Sequence, residues 1–510
     1  MTLREALSYE PVELSFGTSG LRALVSDMTD LECYIDAVGF LRFLTAHDAL
    51  LSAETIYIGG DLRDSTERIM RVMFEACNRY GLKPVNCGLL PTPAVAYYAL
   101  QQQAPCIVVT GSHIPSDRNG IKFYKRAGEV LKDDEAPIKD QVAVVRSELY
   151  SQTSADSLFT SAGMFKNAAA LPPVLEEAED LYKKRYEDFF SPDCLAGKKV
   201  IVYQQSAVGR DIIVDVLSKL GAEAVPVERS ETFIPIDTEH VTDENKTKFK
   251  LFASNAPNTF AIVSTDGDSD RPFVIDETGT FHSGDVLGCI VADFLGAKFA
   301  AVPISSNDAV DIFCKDHDIK LTHTKIGSPY VIAAMDNGSA SDEPRVSWEV
   351  NGGFIEGSEI THDGRVLKPL PTRDALLPII CAMLSASTKS QKLSELFASL
   401  PTRYTAANLI DDILPDKIVH FKEICKDQAA AEALMNQALS GSDLGDIETV
   451  DLTDGLRILF TSHDVVHLRP SGNAPQFRVY TNAGSQMQAD LLAQQAVSPN
   501  GYIEKILAEL

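Results

Sequence analysis

Short apolar runs alternate with longer amphipathic segments along most of the chain. The run "ETIYIGGD" at 54–61 predicts a buried strand, and the segment at 65–81 repeats apolar positions at helical spacing before it closes on glycine. The same order of strand and helix returns at 198–206 and 209–222. Strands that alternate with helices in this way indicate α/β layers with mostly parallel or mixed sheets.

Breaks in this rhythm divide the chain. A Ser/Ala-rich stretch at 151–173 ends in two prolines, and proline-containing segments at 368–380 and 398–408 flank a helical piece. With roughly 150 residues per domain as a guide, 510 residues predict three or four domains. We expect boundaries near 172, 285 and 398, which give the domains 1–171, 172–284, 285–397 and 398–510.

Composition narrows the class of protein. The formal net charge of −26 argues against a nucleic-acid-binding surface, because phosphate backbones select Lys/Arg-rich faces. Nine cysteines without a C-x-x-C pair indicate a reducing compartment instead of a disulfide framework. The N-terminus lacks the pattern of a signal peptide, and no window reaches the ~18 apolar residues of a membrane span. We therefore expect a cytoplasmic protein that binds neither nucleic acid nor membrane.

The strongest chemical signal is the acidic stretch "STDGDSDRPFVIDETG". Asp266, Asp268 and Asp270 alternate across a turn that follows a predicted strand. Alternate carboxylates on an extended loop point to one side and suit a hard cation such as Mg²⁺ or Ca²⁺. A merely solvated acidic turn is disfavoured, because clustered carboxylates repel one another unless a cation or an arginine compensates.

The same stretch superficially fits an EF-hand loop. Its aspartates occupy positions 1, 3 and 5, and Glu277 occupies position 12. However, Arg271 stands where that loop needs glycine, and both flanks predict strands instead of helices. We expect a different kind of metal loop.

A second stretch, "VVTGSHIPSDRNGIKFY" at 108–124, places a serine and a histidine at a turn between two apolar runs. Ser112 and His113 lie at this turn, and Lys122 follows ten residues after the serine. The residues alone leave three roles open for Ser112: a nucleophile, a metal ligand or a turn residue.

Three further stretches carry polar groups suited to a phosphorylated sugar. In "RPSGNAPQFRVY", guanidinium, hydroxyl and backbone donors suited to phosphate lie within ten residues, although a surface hairpin is the alternative. In "SWEVNGGFIEGS", Glu349 and Asn351 occupy alternate positions before a Gly-Gly turn and could bind ring hydroxyls, or serve structure alone. In "LSFGTSGLRAL", Arg22 follows a small polar turn that by itself is a generic loop.

In their order along the chain, four of these five stretches resemble motifs of the α-D-phosphohexomutase family, which includes phosphoglucomutases, phosphomannomutases and aminosugar phosphate mutases. "TGSHIP" is similar to its T-x-S-H-N-P loop, "DGDSDR" to D-G-D-x-D-R, "GTSGLR" to G-T-S-G-[IL]-R, and "RPSGNAP" to R-x-S-G-T-E-P. The resemblance runs from Phe16 to Tyr480. It implies an α/β protein of four domains around a central cleft, with three α/β domains of similar topology and a smaller C-terminal α+β domain. It also implies a monomer or homodimer.

The resemblance implies a phosphohexomutase that interconverts hexose 6-phosphate and hexose 1-phosphate. Ser112 would carry the phosphoryl group and complete a Mg²⁺ site with the three aspartates, and a hexose 1,6-bisphosphate would serve as intermediate and activator. Lys122 would be general acid and base, with its pKa lowered by nearby cations, and His113 would assist. Arg22 and Arg271 would offset the phosphoserine charge.

The resemblance also implies two sets of substrate contacts. Those to the sugar come from Glu349, Asn351, Gly327 and Ser328. Those that clamp the non-reacting phosphate come from Arg469, Ser471, Gly472, Asn473 and Arg478.

Departures from the family motifs bear on the substrate. Asn473-Ala474 replaces Thr-Glu, and Ser328 stands where many relatives have a histidine. The variants "TGSHIPSDRNG" and "NGGF" resemble bacterial phosphomannomutases, so we expect mannose phosphate, with glucose phosphate shared. The alternatives are an aminosugar phosphate mutase, an inactive sugar-phosphate-binding relative, and a metal-dependent phosphatase with Asp266 or Asp268 as nucleophile.

Overall fold

The computed structural model describes residues 1–17, 20–167, 169–337, 343–438, 444–470 and 476–510. The predicted mixed α/β class is confirmed. The chain divides into two compact units, of which one comprises Met1–Phe299 with Gly327–Phe397 and the other Ala300–Ile326 with Ala398–Leu510. The finer division into four domains stays a prediction. None of the helices in the described ranges is long and apolar enough to span a bilayer.

The first part of the chain forms one sheet with helices. Its elements are α1 (Leu3–Ala6), β1 (Ser15–Phe16), β2 (Leu21–Leu24), α2 (Asp30–His47), β3 (Thr55–Gly60), α3 (Thr66–Arg79), β4 (Lys83–Leu89), α4 (Thr92–Gln101), β5 (Cys106–Val109), β6 (Arg118–Lys125), β7 (Gly128–Glu129) and α5 (Lys132–Ser151). The strand order is β1-β2-β6-β5-β3-β4, and β7 pairs with β6. Strand β3 is parallel to β4 and β5, whereas β6 is antiparallel to β5.

This first sheet and its helices have a closely packed core. All four residues of β5 are buried, as expected for an interior strand of a sheet covered on both faces. Helix α2 is buried around most of its surface, and Gly39 lets α5 approach closely. A Cβ at Gly39 would lie 2.4 Å from Cγ2 of Val142. The strand predicted at 54–61 and the helix predicted at 65–81 are confirmed as β3 and α3.

The second sheet is also mixed. Its elements are α6 (Glu177–Phe189), β8 (Lys199–Gln205), α7 (Arg210–Lys219), β9 (Glu223–Arg229), α8 (Asp243–Asn255), β10 (Thr259–Thr265), β11 (Pro272–Asp276), β12 (Phe281–His282) and α9 (Gly284–Phe294). The strand order is β12-β11-β10-β8-β9. Strand β8 is parallel to β9 and β10, and β10 turns back into antiparallel β11.

The next elements are β13 (Phe299–Pro303), α10 (Ala309–Asp316), β14 (Lys320–Thr324), α11 (Ser328–Asn337), β15 (Arg345–Trp348), β16 (Phe354–Glu356), β17 (Ile360–His362), β18 (Arg365–Leu367), β19 (Leu370–Asp374), α12 (Leu376–Thr388) and α13 (Leu393–Ala398). Strand β16 lies between β15 and β19 and is antiparallel to both. It places the turn after β15 beside the end of β19.

The C-terminal part has the α+β character that was predicted for it. Its elements are β20 (Tyr404–Ile410), α14 (Pro415–Ile424), α15 (Gln428–Ala438), β21 (Ile447–Asp451), β22 (Leu456–Phe460), β23 (Val465–Pro470), β24 (Phe477–Ala483), α16 (Gln486–Val497) and α17 (Tyr502–Glu509). The sheet order is β20-β24-β23-β22-β21, and every pair is antiparallel.

Candidate active site

Ser112 lies in the turn that joins β5 to β6, and its backbone is strained. Its φ of 56° is in the left-handed region, which costs a non-glycine residue on the order of 1 kcal/mol. The Ser112 N–H donates a hydrogen bond of 2.8 Å to Oγ1 of Thr110, which stabilises the turn. Ser112 is buried at this turn. Strain of this kind is concentrated at functional sites, where the surrounding structure enforces it.

Arg63, which the sequence analysis did not identify, stabilises the Ser112 turn. Its guanidinium donates to the carbonyl oxygens of Ser112 at 2.9 Å, Ile114 at 2.6 Å and Pro115 at 2.7 Å. Asp61 pairs with it at 3.2 Å. Both residues follow the end of buried strand β3, so a signal existed: polar side chains at the carboxyl end of a central strand.

The predicted metal loop joins β10 to β11 and lies against Ser112. Asp266, Asp268 and Asp270 are fully buried, and one oxygen from each lies within 4.8 Å of the others. Ser112 Oγ donates a hydrogen bond of 2.6 Å to Oδ2 of Asp266. The structure therefore brings the two strongest sequence motifs into one site.

The acidic cluster fits a hard cation. Oδ1 of Asp268 and Oδ1 of Asp270 are buried, and neither accepts a hydrogen bond from a described residue. Buried carboxylate oxygens in this state are costly unless a cation satisfies them. Glu277, the residue that an EF-hand would require, instead accepts a hydrogen bond of 3.3 Å from the N–H of Ser394. The EF-hand alternative is excluded, as expected.

Three cationic side chains compensate the carboxylates. Lys122 Nζ donates to Oδ2 of Asp268 and Oδ2 of Asp270, both at 2.7 Å. Arg373 donates to Oδ2 of Asp270 from Nε at 3.1 Å and from Nη2 at 2.9 Å. Arg271 Nε lies 3.7 Å from Oδ1 of Asp270. These contacts offset the repulsion that three neighbouring aspartates would otherwise produce.

The surroundings shift the pKa values of the acidic residues and of Lys122 in different directions. Burial and the carboxylates of Asp268 and Asp270 raise the pKa of Asp266 well above its ordinary value. Burial favours a high pKa for Asp270 too, but Arg373 and Lys122 outweigh it and hold that pKa low. Burial lowers the pKa of Lys122, but Asp268 and Asp270 raise it by more. The pKa of Lys122 is therefore raised, contrary to the lowering expected from the sequence.

His113 and Arg22 lie in the same positive environment. His113 Nδ1 is 3.3 Å from Ser112 Oγ. Burial, followed by Arg271 and Arg22, lowers the pKa of His113 to about 2, so the imidazole is neutral at physiological pH. Burial and the neighbouring guanidinium groups of Arg271 and Arg373 lower the pKa of Arg22 to about 10, which leaves it charged.

The predicted sugar loop follows β15 and lies beside the metal loop. Glu349 and Asn351 are buried, and Asn351 Nδ2 lies 3.4 Å from Oε2 of Glu349. Arg373 Nη1 donates to the same oxygen at 3.0 Å. Arg373 therefore contacts both the metal loop and the sugar loop. The sequence analysis missed it because "PTRDALLP" carries no recognisable motif, and only strand pairing reveals its neighbours.

The other predicted sugar contacts lie at the start of α11. Gly327 has a φ of 129°, and Ser328 follows it as the first residue of the helix. Ser328 is fully buried, and its Oγ donates a hydrogen bond of 3.0 Å to Oε2 of Glu129. Its hydroxyl is thus already engaged within the protein, and its contact with a sugar stays a prediction.

The predicted phosphate loop belongs to the second unit. Arg469 on β23 and Arg478 on β24 are directly paired across the two strands, so their side chains project from one face of the sheet. Arg469 Nε lies 2.9 Å from Oδ2 of Asp454. Ser471, Gly472 and Asn473 lie outside the described residues.

Comparisons with known proteins agree with this arrangement. Family models described as phosphoglucomutase/phosphomannomutase alpha/beta/alpha domain I and domain III match residues 13–148 and 283–404. A phosphomannomutase of Sinorhizobium fredii (strain NBRC 101917 / NGR234) is 38% identical over 487 residues, which cover 95% of this chain and 98% of that protein. The chain belongs to the phosphoglucomutase/phosphomannomutase family. It is thus a phosphohexomutase, and the resemblance seen in its motifs is confirmed.

A second phosphomannomutase and a solved structure match this phosphohexomutase over a similar share of the chain. A phosphomannomutase of Salmonella muenchen is 37% identical over 95% of each chain. The crystal structure of a phosphoglucomutase/phosphomannomutase family protein from Burkholderia thailandensis has a TM-score of 0.70 at 16% identity, and covers 96% of this chain and 97% of that one. That structure shares the fold of this phosphohexomutase.

We predict that Gly267→Ala moves the metal loop away from the Ser112 turn in this phosphohexomutase. A Cβ at Gly267 would lie 2.7 Å from the Ser112 carbonyl oxygen and 2.8 Å from the Phe233 ring. Because backbone and ring yield little, the metal loop would move away from Ser112, and kcat for hexose phosphate isomerisation should fall by ~10²-fold. Steady-state kinetics measure the effect. The control is Gly484→Ala, whose Cβ would meet, among the described residues, only Arg403 at 4.0 Å; equal losses in both variants would contradict the prediction.

Proposed function

We propose that this phosphohexomutase interconverts hexose 6-phosphate and hexose 1-phosphate through a phosphoserine at Ser112 and a hexose 1,6-bisphosphate intermediate. The observation that carries the proposal is the hydrogen bond of 2.6 Å between Ser112 Oγ and the buried acidic cluster. Mannose phosphate is the preferred substrate in this proposal, and glucose phosphate is a second substrate. The support for mannose is that the relatives at 37% and 38% identity are named phosphomannomutases.

The transfer step needs one bond exchange and one proton exchange. The free hydroxyl of the sugar attacks the phosphorus, the bond from phosphorus to Ser112 Oγ breaks, and a phosphate ester forms on the sugar. Oγ receives its proton from the Lys122 ammonium, and the proton that the sugar hydroxyl loses returns to Lys122. Neutral His113, whose Nδ1 lies 3.3 Å from Oγ, relays protons between them. The bisphosphate then reorients and returns its other phosphate to Ser112.

The acidic cluster would hold Mg²⁺. Its ligands would be Asp266, Asp268, Asp270 and the oxygen carried by Ser112. When bound, the metal supplies Lewis-acid activation of the transferring phosphoryl group. A phosphoserine carries about −1.5 to −2 charges at neutral pH, so the protein must also supply fixed positive groups nearby. Arg22, Arg271 and Arg373 are the residues that offset this charge in our proposal.

Substrate recognition is divided between two parts of the chain in this proposal. Glu349 and Asn351 bind ring hydroxyls in both orientations of the intermediate, with Gly327 and Ser328 behind them. The non-reacting phosphate is clamped by Arg469, Ser471, Gly472, Asn473 and Arg478. Four domains with boundaries near 172, 285 and 398 carry these groups in our proposal.

Turnover and phosphosite mapping test the proposal together. The purified protein is assayed with mannose, glucose and N-acetylglucosamine 1-phosphates in Mg²⁺ buffer, primed with a hexose 1,6-bisphosphate. We expect the highest kcat/KM with mannose 1-phosphate and a single phosphate on Ser112 by mass spectrometry. Absence of turnover on all three sugars would indicate an inactive relative. Phosphate on Asp266 or Asp268, with Ser112 unlabelled, would favour a phosphatase.

A further inference from the structure

One guanidinium group joins the two loops on which the proposed chemistry depends. Arg373 uses Nε and Nη2 for the metal-loop residue Asp270, at 3.1 and 2.9 Å, and Nη1 for the sugar-loop residue Glu349, at 3.0 Å. The side chain is 2% exposed. Because the guanidinium is planar and its donors are fixed relative to one another, these contacts set the separation of the two carboxylates.

The sugar loop is shaped around this side chain. A Cβ at Gly353 would lie 2.4 Å from Cδ of Arg373, so the second glycine of "NGG" leaves the space through which the arginine passes. The Gly353 N–H also donates to Oδ1 of Asn351 at 2.9 Å. The turn that presents Glu349 and Asn351 therefore fits closely against Arg373.

The strand that carries Arg373 is fixed on both sides of it. Thr372 Oγ1 donates to Oε1 of Glu129 at 2.5 Å. The carboxylate of Asp374 accepts hydrogen bonds from the hydroxyls of Tyr182 at 2.7 Å and Tyr186 at 2.6 Å, both on α6. All of these groups are buried. Arg373 thus has little freedom to follow either loop if that loop moves.

We propose that Arg373 is a positioning residue that holds the sugar-binding carboxylate of Glu349 in register with the metal loop. The inference rests on the proposed function. A bisphosphate that reacts in two orientations needs its ring held at one distance from Ser112 in both. A displacement of about 1 Å in such a site can cost ~10²-fold in rate. Arg373 acts through Glu349 and Asp270, and the sugar itself binds to Glu349.

Arg373→Lys tests the geometry while it retains the positive charge. A lysine ammonium is a single point charge and cannot contact both carboxylates as the guanidinium does. We expect kcat for mannose 1-phosphate to fall by ~10²-fold, and KM to change by less than about threefold because the phosphate clamp is untouched. Phosphorylation of Ser112 by hexose 1,6-bisphosphate, followed by mass spectrometry, reports on the metal loop in the same sample.

A double-mutant cycle separates positioning from general loss of structure. If Arg373 acts through Glu349, the variant with both Arg373→Lys and Glu349→Gln should be within about threefold of the slower single variant. If the two residues act independently, the fold-loss in kcat of the double variant should equal the product of the losses in the two single variants. The matched control is Arg146→Lys, because Arg146 of α5 forms a comparable arginine–carboxylate pair with Glu32 of α2 at 2.5 Å. Its kcat should stay within about threefold of the wild-type value, although its unfolding temperature falls.

Gly353→Ala gives a second route to the same answer if Arg373→Lys does not fold. The added methyl group would displace Arg373 without removing a donor, and kcat should fall by ~10-fold or more. If the wild-type protein is active but the two losses in the cycle multiply, the inference about Arg373 is wrong while the proposed function stands. An unchanged kcat in Arg373→Lys or Gly353→Ala would have the same meaning. Inactive wild-type protein would overturn the proposed function and the inference with it.

Discussion

Ser112→Ala should reduce hexose phosphate isomerisation by at least ~10³-fold, because in the proposed mechanism the Ser112 hydroxyl carries the phosphoryl group. Binding of hexose 6-phosphate should be largely retained, since Arg469 and Arg478 make the proposed clamp. The measurements are kcat in the primed assay and the dissociation constant of hexose 6-phosphate by calorimetry. The variant also removes the donor that satisfies Oδ2 of Asp266, so the free energy of unfolding should fall by about 1 kcal/mol.

Two further serine variants make this result specific. Ser112→Gly removes the same hydroxyl, but glycine adopts a φ of 56° without strain, so it should lose activity equally while unfolding at a higher temperature than Ser112→Ala. Ser116→Ala changes an exposed serine of the same turn and should retain wild-type kcat. Substantial turnover in both Ser112 variants would contradict the phosphoserine role.

Motifs that lie within one short stretch of sequence could be predicted well. The alternation of Asp266, Asp268 and Asp270 indicated a cation site, and the structure gathers their oxygens within 4.8 Å. The strands on either side of this loop were also expected, because apolar residues precede and follow it. Local pattern sufficed here since the chain itself fixes the spacing of the three carboxylates.

Residues that join the site across the fold could not be found in this way. Arg373 is separated from Asp270 by 103 positions, and Arg63 from Ser112 by 49. Their neighbours depend on which strands pair, and pairing is decided by burial over whole sheets instead of by local sequence. The raised pKa of Lys122 has the same origin, because Asp268 and Asp270 reach it only through the folded structure.

The charge of the site differs from that of the protein as a whole. The chain carries a formal charge of −26, which would repel a phosphorylated sugar. Yet Lys122, Arg271 and Arg373 are buried against the acidic cluster, and Arg22 titrates under the influence of the same guanidinium groups. Buried charges interact more strongly than exposed ones, so in the proposed mechanism these four cationic side chains would attract the phosphate despite the global excess of acid.

Removal of divalent cations should inactivate the enzyme reversibly. With EDTA followed by dialysis, kcat should fall by at least ~10²-fold and return on addition of Mg²⁺, because the Lewis acid that would activate the transferring phosphoryl group is then missing. Asp268→Asn should raise the Mg²⁺ concentration for half-maximal activity by ~10-fold or more, since a neutral amide is a weaker ligand. Mg²⁺ at 100 times its dissociation constant should stabilise the folded wild-type protein by about 2.7 kcal/mol.

Glu277→Gln provides the control that separates this site from an EF-hand. Glu277 would be the bidentate ligand at position 12 of such a loop, whereas in this structure its carboxylate binds the N–H of Ser394. Its substitution should therefore leave the Mg²⁺ dependence of kcat unchanged, because the proposed ligands of the cation are the three aspartates between β10 and β11. Undiminished turnover after chelation, or equal weakening of Mg²⁺ by Glu277→Gln and Asp268→Asn, would show that these aspartates do not hold the catalytic metal.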